Sequence, residues 1–271
     1  MTERAVGIVG VGRLGAAVAA ALLSDAGLPA LYVTPRNSAR VARLVARDAR
    51  VKVAEPEAVL RHCDVVVMAL GAGDARQLLA GLAFERRHQI VSLMAEMALS
   101  ELQSLTAAAG HRCRLLALPS VAIGGQTLPV YPKIPAVEAL FGRMNTLLAV
   151  ETEEQLVALW SVTALLSSII MVGEVAAEWL EDSGVEATTA QTYAGVLFEN
   201  VGRALSGGFE AAVRNVSTPG GLNVMMRRRL KRAGVSAEIG RGLDEVYRRL
   251  TEGAGARIET PEMLGVGGGR L

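Results

Sequence analysis

The sequence predicts an α/β protein in which a doubly wound parallel sheet is followed by an all-helical part. Three observations carry this reading. Short apolar runs alternate with helical patterns up to about residue 150, a glycine-rich turn directly follows the first run, and strand signals cease after Glu151.

Taken in order, Ala5 to Val9, Ala30 to Thr34, Val65 to Ala69, Gln89 to Leu93 and Arg114 to Ala117 are continuous Val, Ile and Leu-rich runs, the pattern of strands buried on both faces. Thr127 to Val130 and Leu147 to Val150 complete the far edge of the sheet. Beyond them, helical periodicity covers about 153–182, 187–206, 219–232 and 236–251. The change near residue 150 marks a domain boundary, so 1–150 is one domain and 151–252 a helical one. The segment 253–271, with six glycines, reads as a flexible tail.

Composition narrows the partners. With 28 basic and 27 acidic residues the chain carries a net charge of +1, so no global field recruits nucleic acid or an anionic membrane. A small-molecule partner is expected. Cys63 and Cys113 are isolated, and Met1 leads within a few residues into a strand-like run, which points to two free thiols in a reducing cytoplasm. His62, His88 and His111 share no metal-ligand spacing, and no metal site is expected. The uncharged run Leu156 to Gly173 is long enough to cross a bilayer, but Ser161, Thr163, Ser167 and Ser168 interrupt it. A helix buried between two copies of the chain is the better reading, and a homodimer, or an assembly of dimers, is expected.

The chemistry is most legible where Val6 to Val9 runs into Gly10-Val11-Gly12-Arg13-Leu14-Gly15 and the alanine-rich stretch Ala16 to Leu23. A Gly-x-Gly-x-x-Gly between a strand and a helix is the dinucleotide-binding turn of a Rossmann domain. Gly10 permits the turn, Gly12 lets the backbone approach a pyrophosphate, and Gly15 lets helix and strand pack closely. The helix N-terminus then offers its unpaired N–H groups to the phosphates. The second strand ends in Thr34-Pro35-Arg36-Asn37-Ser38, without the carboxylate that would bind a ribose 2'-hydroxyl. Thr34, Arg36 and Asn37 suit a 2'-phosphate, so NADPH is the expected cofactor, with Arg36 its anchor. Ala69 and Leu70, which close the run from Val65, complete the expected cofactor contacts.

In the helical part, Val216-Ser217-Thr218-Pro219-Gly220-Gly221-Leu222-Asn223 resembles the Val-x-Ser-Pro-Gly-Gly-x-Thr loop of the pyrroline-5-carboxylate reductases. Val162-Thr163-Ala164-Leu165 and Asp182-Ser183-Gly184-Val185 are similar to that family's Thr-Ala-Leu and Ala-Gly-Val segments, and the likeness spans nearly the whole chain apart from the tail. It implies a Rossmann domain with a helical dimerisation domain, a place in proline biosynthesis, and a substrate site at the Pro-Gly-Gly loop between subunits. Carried over residue by residue, Thr218, Gly220, Gly221 and Leu222 would contact substrate, and Asn223 would stand where the family has its substrate-contacting Thr. Departures cluster there. Leu166-Ser167-Ser168-Ile169-Ile170-Met171-Val172 replaces Ser-Gly-Ser-Gly-Pro-Ala-Tyr, Gly71-Ala72 replaces a Lys-Pro pair, and Leu118-Pro119-Ser120-Val121-Ala122 replaces Met-Pro-Asn-Thr-Pro. An altered substrate is therefore expected.

Read from its residues alone, Pro219-Gly220-Gly221 opening a helix presents backbone N–H groups fit for a carboxylate. Thr218 is equally suited to cap that helix. Asn223 can donate a hydrogen bond but cannot lend a proton at neutral pH, so it would orient a substrate. The basic run Arg227 to Arg232 reads as a solvated helix end. The leading function is NADPH-dependent reduction of a small cyclic imine. The alternatives are a non-catalytic NADP-binding paralogue and a 3-hydroxyacid-type dehydrogenase. The last needs a lysine in the helical part, and none occurs between Lys133 and Lys231.

Overall fold

The structure, a computed structural model, describes residues 5–252. The tail expected over 253–271 lies outside the described residues.

Strands β1 (Ala5–Val9), β2 (Leu31–Val33), β3 (Val51–Val53), β4 (Cys63–Met68), β5 (Gln89–Ser92), β6 (His111–Leu115), β7 (Thr127–Tyr131) and β8 (Thr146–Ala149) form one sheet in the order β3-β2-β1-β4-β5-β6-β7-β8. The first six are parallel. Their crossovers carry helices α1 (Arg13–Leu23), α2 (Ser38–Arg47), α3 (Pro56–His62), α4 (Ala72–Leu79) and α5 (Leu99–Leu105), and α6 (Pro135–Phe141) joins β7 to β8. Alternation along the strands sorts the core into two layers. Ile8, Val67 and Val91 pack with Val18, Leu22 and Val137 on one face, while Val66, Met68 and Ile90 pack with Val59, Leu79 and Leu102 on the other.

Two corrections concern the sheet. β7 runs antiparallel to β6, with Arg114 opposite Tyr131, so the sheet is mixed. The chain between them forms only a 3-10 turn, Pro119–Ile123, too short for the helical crossover that parallel pairing requires. β3, absent from the expected strands, pairs in parallel with β2 at the sheet edge. Three residues with an exposed Lys52 at the centre give no apolar run to detect.

The described residues divide into two compact units, one running to Trp160 and including the last turns from Tyr247, the other Ser161–Val246. In the first, Leu116, Leu156, Trp160 and Leu250 form a small apolar cluster, and an ion pair of 2.7 Å joins Arg249 to Glu96. The second contains α8 (Leu165–Asp182) and α9 (Ala187–Ala204), a hairpin whose contact is lined by Ala177, Ala190 and Ala194. Gly173 faces the Phe198 ring, which a Cβ at that position would meet at 2.5 Å. Small residues set this close approach, and Glu186 caps α9 by accepting the N–H groups of Thr188 (3.0 Å) and Thr189 (2.9 Å).

The helix expected over 153–182 is two: α7 (Glu153–Val162), then α8. At Ser161–Leu166 the backbone makes i to i+3 bonds, Ala164 N–H to Ser161 O and Leu166 N–H to Thr163 O, which tighten the chain out of α geometry. By length and composition alone, Glu153–Asp182 contains an 18-residue window apolar enough to cross a membrane, with a mean hydropathy of 2.1. The expected helix over 187–206 ends at Ala204 in a short 3-10 turn, and α10 (Phe209–Val216) follows as an unforeseen element. α11 (Leu222–Arg232) begins three residues later than expected, and α12 spans Val235–Glu252.

Candidate functional site

β1 lies between β2 and β4, where the strand order turns in opposite directions, and this switch point opens a crevice at the strands' carboxyl ends. Gly10–Gly15 occupies it. Gly10 has φ +98°, and a Cβ there would stand 2.5 Å from the carbonyl oxygen of Ala69, so only glycine makes this turn. A Cβ on Gly15 would overlap the carbonyl oxygen of Gly10, which lets α1 start hard against the turn. At Gly12, the N-cap of α1, a Cβ would meet nothing within 4 Å. No side chain caps this end and no acid lies in the first turn, so the first N–H groups and the positive end of the helix dipole face open space. Val11 is buried in the core, whereas Arg13 is exposed and Leu14 half-buried.

The end of β2 supplies the neighbouring wall. Buried Thr34 accepts the N–H of Gly10 at its Oγ1 (3.0 Å), so it braces the glycine turn from behind. Asn37 is the N-cap of α2: its Oδ1 accepts the N–H of Arg40 at 3.3 Å, which leaves its amide group for a ligand. Arg36 reaches a cavity of about 600 Å³ that Thr34, Pro35 and Leu70 also line. Its Nη1 lies 2.7 Å from Oδ2 of Asp74, a residue in the first turn of α4. Glu55 and Glu57, at the start of α3, line the same cavity. The absence of a carboxylate at the end of β2 therefore does not extend to the cavity as a whole. Asp74, Glu55 and Glu57 went unseen because they reach the pocket from later crossovers. Ala69 is partly buried beside Gly10 and Gly15, and Leu70 forms cavity wall.

Below the loop after β5, Arg114 is buried to 1% exposure. Its guanidinium donates to Glu153 Oε1 (2.5 Å) and to the carbonyl oxygen of Ala95 (2.6 Å), and it lies 4.8 Å from the Trp160 ring centroid. Burial lowers its affinity for the proton, and Glu153 opposes that shift. Burial pushes the Cys63 thiol up to about 12 and raises Cys113 as well, so neither presents a thiolate at neutral pH. Both are free cysteines. Among the described residues, no group of three or more His, Cys, Asp or Glu is placed to hold a metal ion.

In the helical unit, Asn223 donates through Nδ2 to the carbonyl oxygen of Val216 at 2.7 Å and closes the loop that joins α10 to α11. Gly220 has φ +74°, and Gly221, not Thr218, is the N-cap of α11. Thr218 instead accepts the Gly221 N–H at its carbonyl oxygen (2.9 Å), which closes the turn that precedes the helix. With no capping side chain and no acid in its first turn, α11 opens with unpaired N–H groups. Leu222 is 80% exposed on that turn, and Thr218 and Gly220 are exposed beside it.

Residues 5–96 match a family described as NADP oxidoreductase, coenzyme F420-dependent. No curated protein sequence matches the chain. Among solved structures, it superimposes on the NADP-bound pyrroline carboxylate reductase of Plasmodium falciparum with a TM-score of 0.76 at 11% identity, covering 93% of this chain and 98% of that one. For the 1-pyrroline-5-carboxylate reductase of Streptococcus pyogenes the values are 0.74 and 15%, with 91% and 98% covered. An Aspergillus terreus reductive aminase in complex with NADPH and ethyl-5-oxohexanoate gives 0.57 and 18%, with 93% and 95% covered. At these identities the fold is what is shared, and it is the fold of the pyrroline-5-carboxylate reductases.

Proposed function

We propose that this chain is an NADPH-dependent reductase of a small cyclic imine, a divergent relative of the pyrroline-5-carboxylate reductases with an altered substrate site. The observation that carries the reading is the Gly10–Gly15 turn at the switch point of the sheet, open at Gly12, with Arg36 on the adjoining wall. The division of labour follows the sequence reading, with residues 1–150 for the cofactor and 151–252 for substrate and dimerisation.

NADPH, when bound, supplies the hydride that, with one proton, turns C=N into an amine. The N–H groups of Gly12, Arg13 and Leu14 would hold its pyrophosphate, and Arg36 and Asn37 its 2'-phosphate. Thr34 acts through Gly10, keeping the turn in place. Val11, Ala69 and Leu70 line the path, and Gly15 admits the helix. In the helical unit the N–H groups of Leu222 and Asn223, with Thr218, Gly220 and Gly221 beside them, would anchor a substrate carboxylate. Asn223 spends one amide hydrogen on Val216, so the second hydrogen and the amide oxygen are what it offers to orient a substrate. No side chain in this set is an acid at neutral pH. Positioning would supply most of the catalysis.

The partner is a second copy of this chain, an inference supported by the apolar side chains that α8 and α9 leave exposed, Ile170 at 61% and Trp179 at 67% among them. Covering that surface with protein also accounts for the apolar stretch Glu153–Asp182 without a bilayer, in keeping with a cytoplasmic enzyme. A non-catalytic NADP-binding paralogue is the second reading, favoured by the engagement of Asn223 with Val216 and by Ile169-Ile170-Met171 where the resemblance calls for small residues.

The test is loss of NADPH absorbance with a panel of cyclic imines, together with fluorescence titration of NADPH and NADH against wild type and Arg36→Ala. Turnover of one imine with NADPH supports the reductase; tight NADPH binding without any turnover supports the paralogue. Arg36→Ala is expected to weaken NADPH by about 1.5–3 kcal/mol and to spare NADH.

A further inference from the structure

Arg36 is the one basic side chain among the described residues lining the cavity beyond β2, and it faces three carboxylates there, Asp74, Glu55 and Glu57. Asp74 alone is paired with it, at 2.7 Å. The pair is open to solvent, with side chains 66% and 51% exposed, so it is weak and exchangeable. Asp74 sits in the first turn of α4, where the helix dipole favours its charge. A phosphate ester arriving at Arg36 carries nearly two negative charges and must either displace Asp74 from the guanidinium or share it against like-charge repulsion. A ribose hydroxyl makes no such demand.

We propose that Asp74 is a specificity-determining residue that competes with the cofactor's 2'-phosphate for Arg36, holding the preference for NADPH over NADH below what Arg36 alone would confer. This rests on the reading of the chain as an NADPH-binding protein.

Dissociation constants of NADPH and NADH for the full chain, Asp74→Asn, Arg36→Ala and the double variant test it, with circular dichroism as a check that each is folded. Asp74→Asn is expected to tighten NADPH about two- to fivefold and to leave NADH unchanged. The gain is expected to vanish in the Arg36→Ala background. Unchanged or weaker NADPH binding by Asp74→Asn would mean that Asp74 orients Arg36 or does nothing, and equal tightening of both cofactors would mean a general charge effect. Persistence of the gain without Arg36 would likewise overturn the competition. Wild type that binds no NADPH would bring down the cofactor reading itself, a result separable from the other three because it precedes any comparison of variants.

Discussion

Thr34 Oγ1 accepts the backbone N–H of Gly10 at 3.0 Å, joining the end of β2 to the turn that follows β1. Both partners are buried, so the N–H has no water to fall back on. Thr34→Val keeps the shape and removes the acceptor. It is expected to destabilise the protein by about 1–3 kcal/mol in urea unfolding and to weaken NADPH binding, while Thr34→Ser retains both. Equal behaviour of the Val and Ser variants would contradict a bracing role.

This relationship also marks the limit of what the sequence discloses. Gly10, Gly12 and Gly15 are legible because their spacing encodes a local turn, and Val6 to Val9 or Val65 to Ala69 because strands buried on both faces are uninterrupted apolar runs. Thr34, expected to face phosphate, turns its hydroxyl to Gly10, a partner set by the pairing of β1 with β2. Asp74 reaches Arg36 through a crossover of the sheet, which no local pattern reports. β3 and α10 were illegible for a simpler reason: each is short, and Lys52 breaks the one while α10 buries little beyond Ala212.

Arg114 and Glu153 form a second pair whose loss has a calculable consequence. The guanidinium is almost wholly buried, and Glu153 Oε1 also accepts the Leu99 N–H at 2.6 Å. Glu153→Ala leaves an uncompensated buried charge and an unpaired N–H, and about 3–5 kcal/mol of stability should disappear in denaturant unfolding. Adding Arg114→Met to that variant should restore part of it, because the buried charge then goes too. A double variant less stable than Glu153→Ala would be inconsistent with this account.

Asp48 provides the pH dependence. Its hydrogen bonds to Arg50, side chain first and backbone N–H second, lower its pKa from 3.8 to about 2. Arg50 in turn donates to the carbonyl oxygens of Leu23, Asp25 and Leu28, tying the β3 edge to the end of α1. Because the folded-state value is depressed, the stabilisation is fully present above the unfolded value and is lost as pH falls through about 2. Asp48→Asn should therefore be less stable than wild type at pH 7, with the gap closing between about pH 4 and pH 2. A gap that stays constant over that range would place the effect elsewhere.

The exposed apolar faces of α8 and α9 lead to a prediction about assembly. Ile170, Val172 and Trp179 are each at least 60% exposed within the chain, and a patch of that kind drives association in water. Light scattering is expected to give a dimer, or a multiple of dimers, at every workable concentration. Ile170→Asp should shift that equilibrium toward monomer or toward loss of soluble protein. A wild type that is a stable soluble monomer would refute the dimer.

The substrate prediction turns on three positions. Ile169-Ile170-Met171 stands where the pyrroline-5-carboxylate reductases have Gly-Pro-Ala, Leu222 where they have a small residue, and Asn223 where they have Thr. Leu222 is 80% exposed on the first turn of α11, directly beside the N–H groups proposed to hold a carboxylate, so anything seated there meets an isobutyl group. Asn223, clasped to Val216, presents an amide in place of a hydroxyl, and one misplaced polar contact can cost several kcal/mol of transition-state stabilisation. Pyrroline-5-carboxylate is accordingly expected to be a poor substrate, with kcat/KM below the usual enzyme range of about 10⁴ M⁻¹s⁻¹. Steady-state kinetics decide it, and a value at or above that range would sink the altered-substrate reading. Asn223→Thr supplies the second arm. The Thr side chain has no amide to reach Val216, so loosening of the loop is expected in hydrogen exchange. A gain of pyrroline-5-carboxylate turnover in that variant would show the remaining site to be competent for imine reduction. No gain with that substrate, alongside turnover of a bulkier imine by wild type, would place the specificity in Leu222 and the Ile169–Met171 stretch.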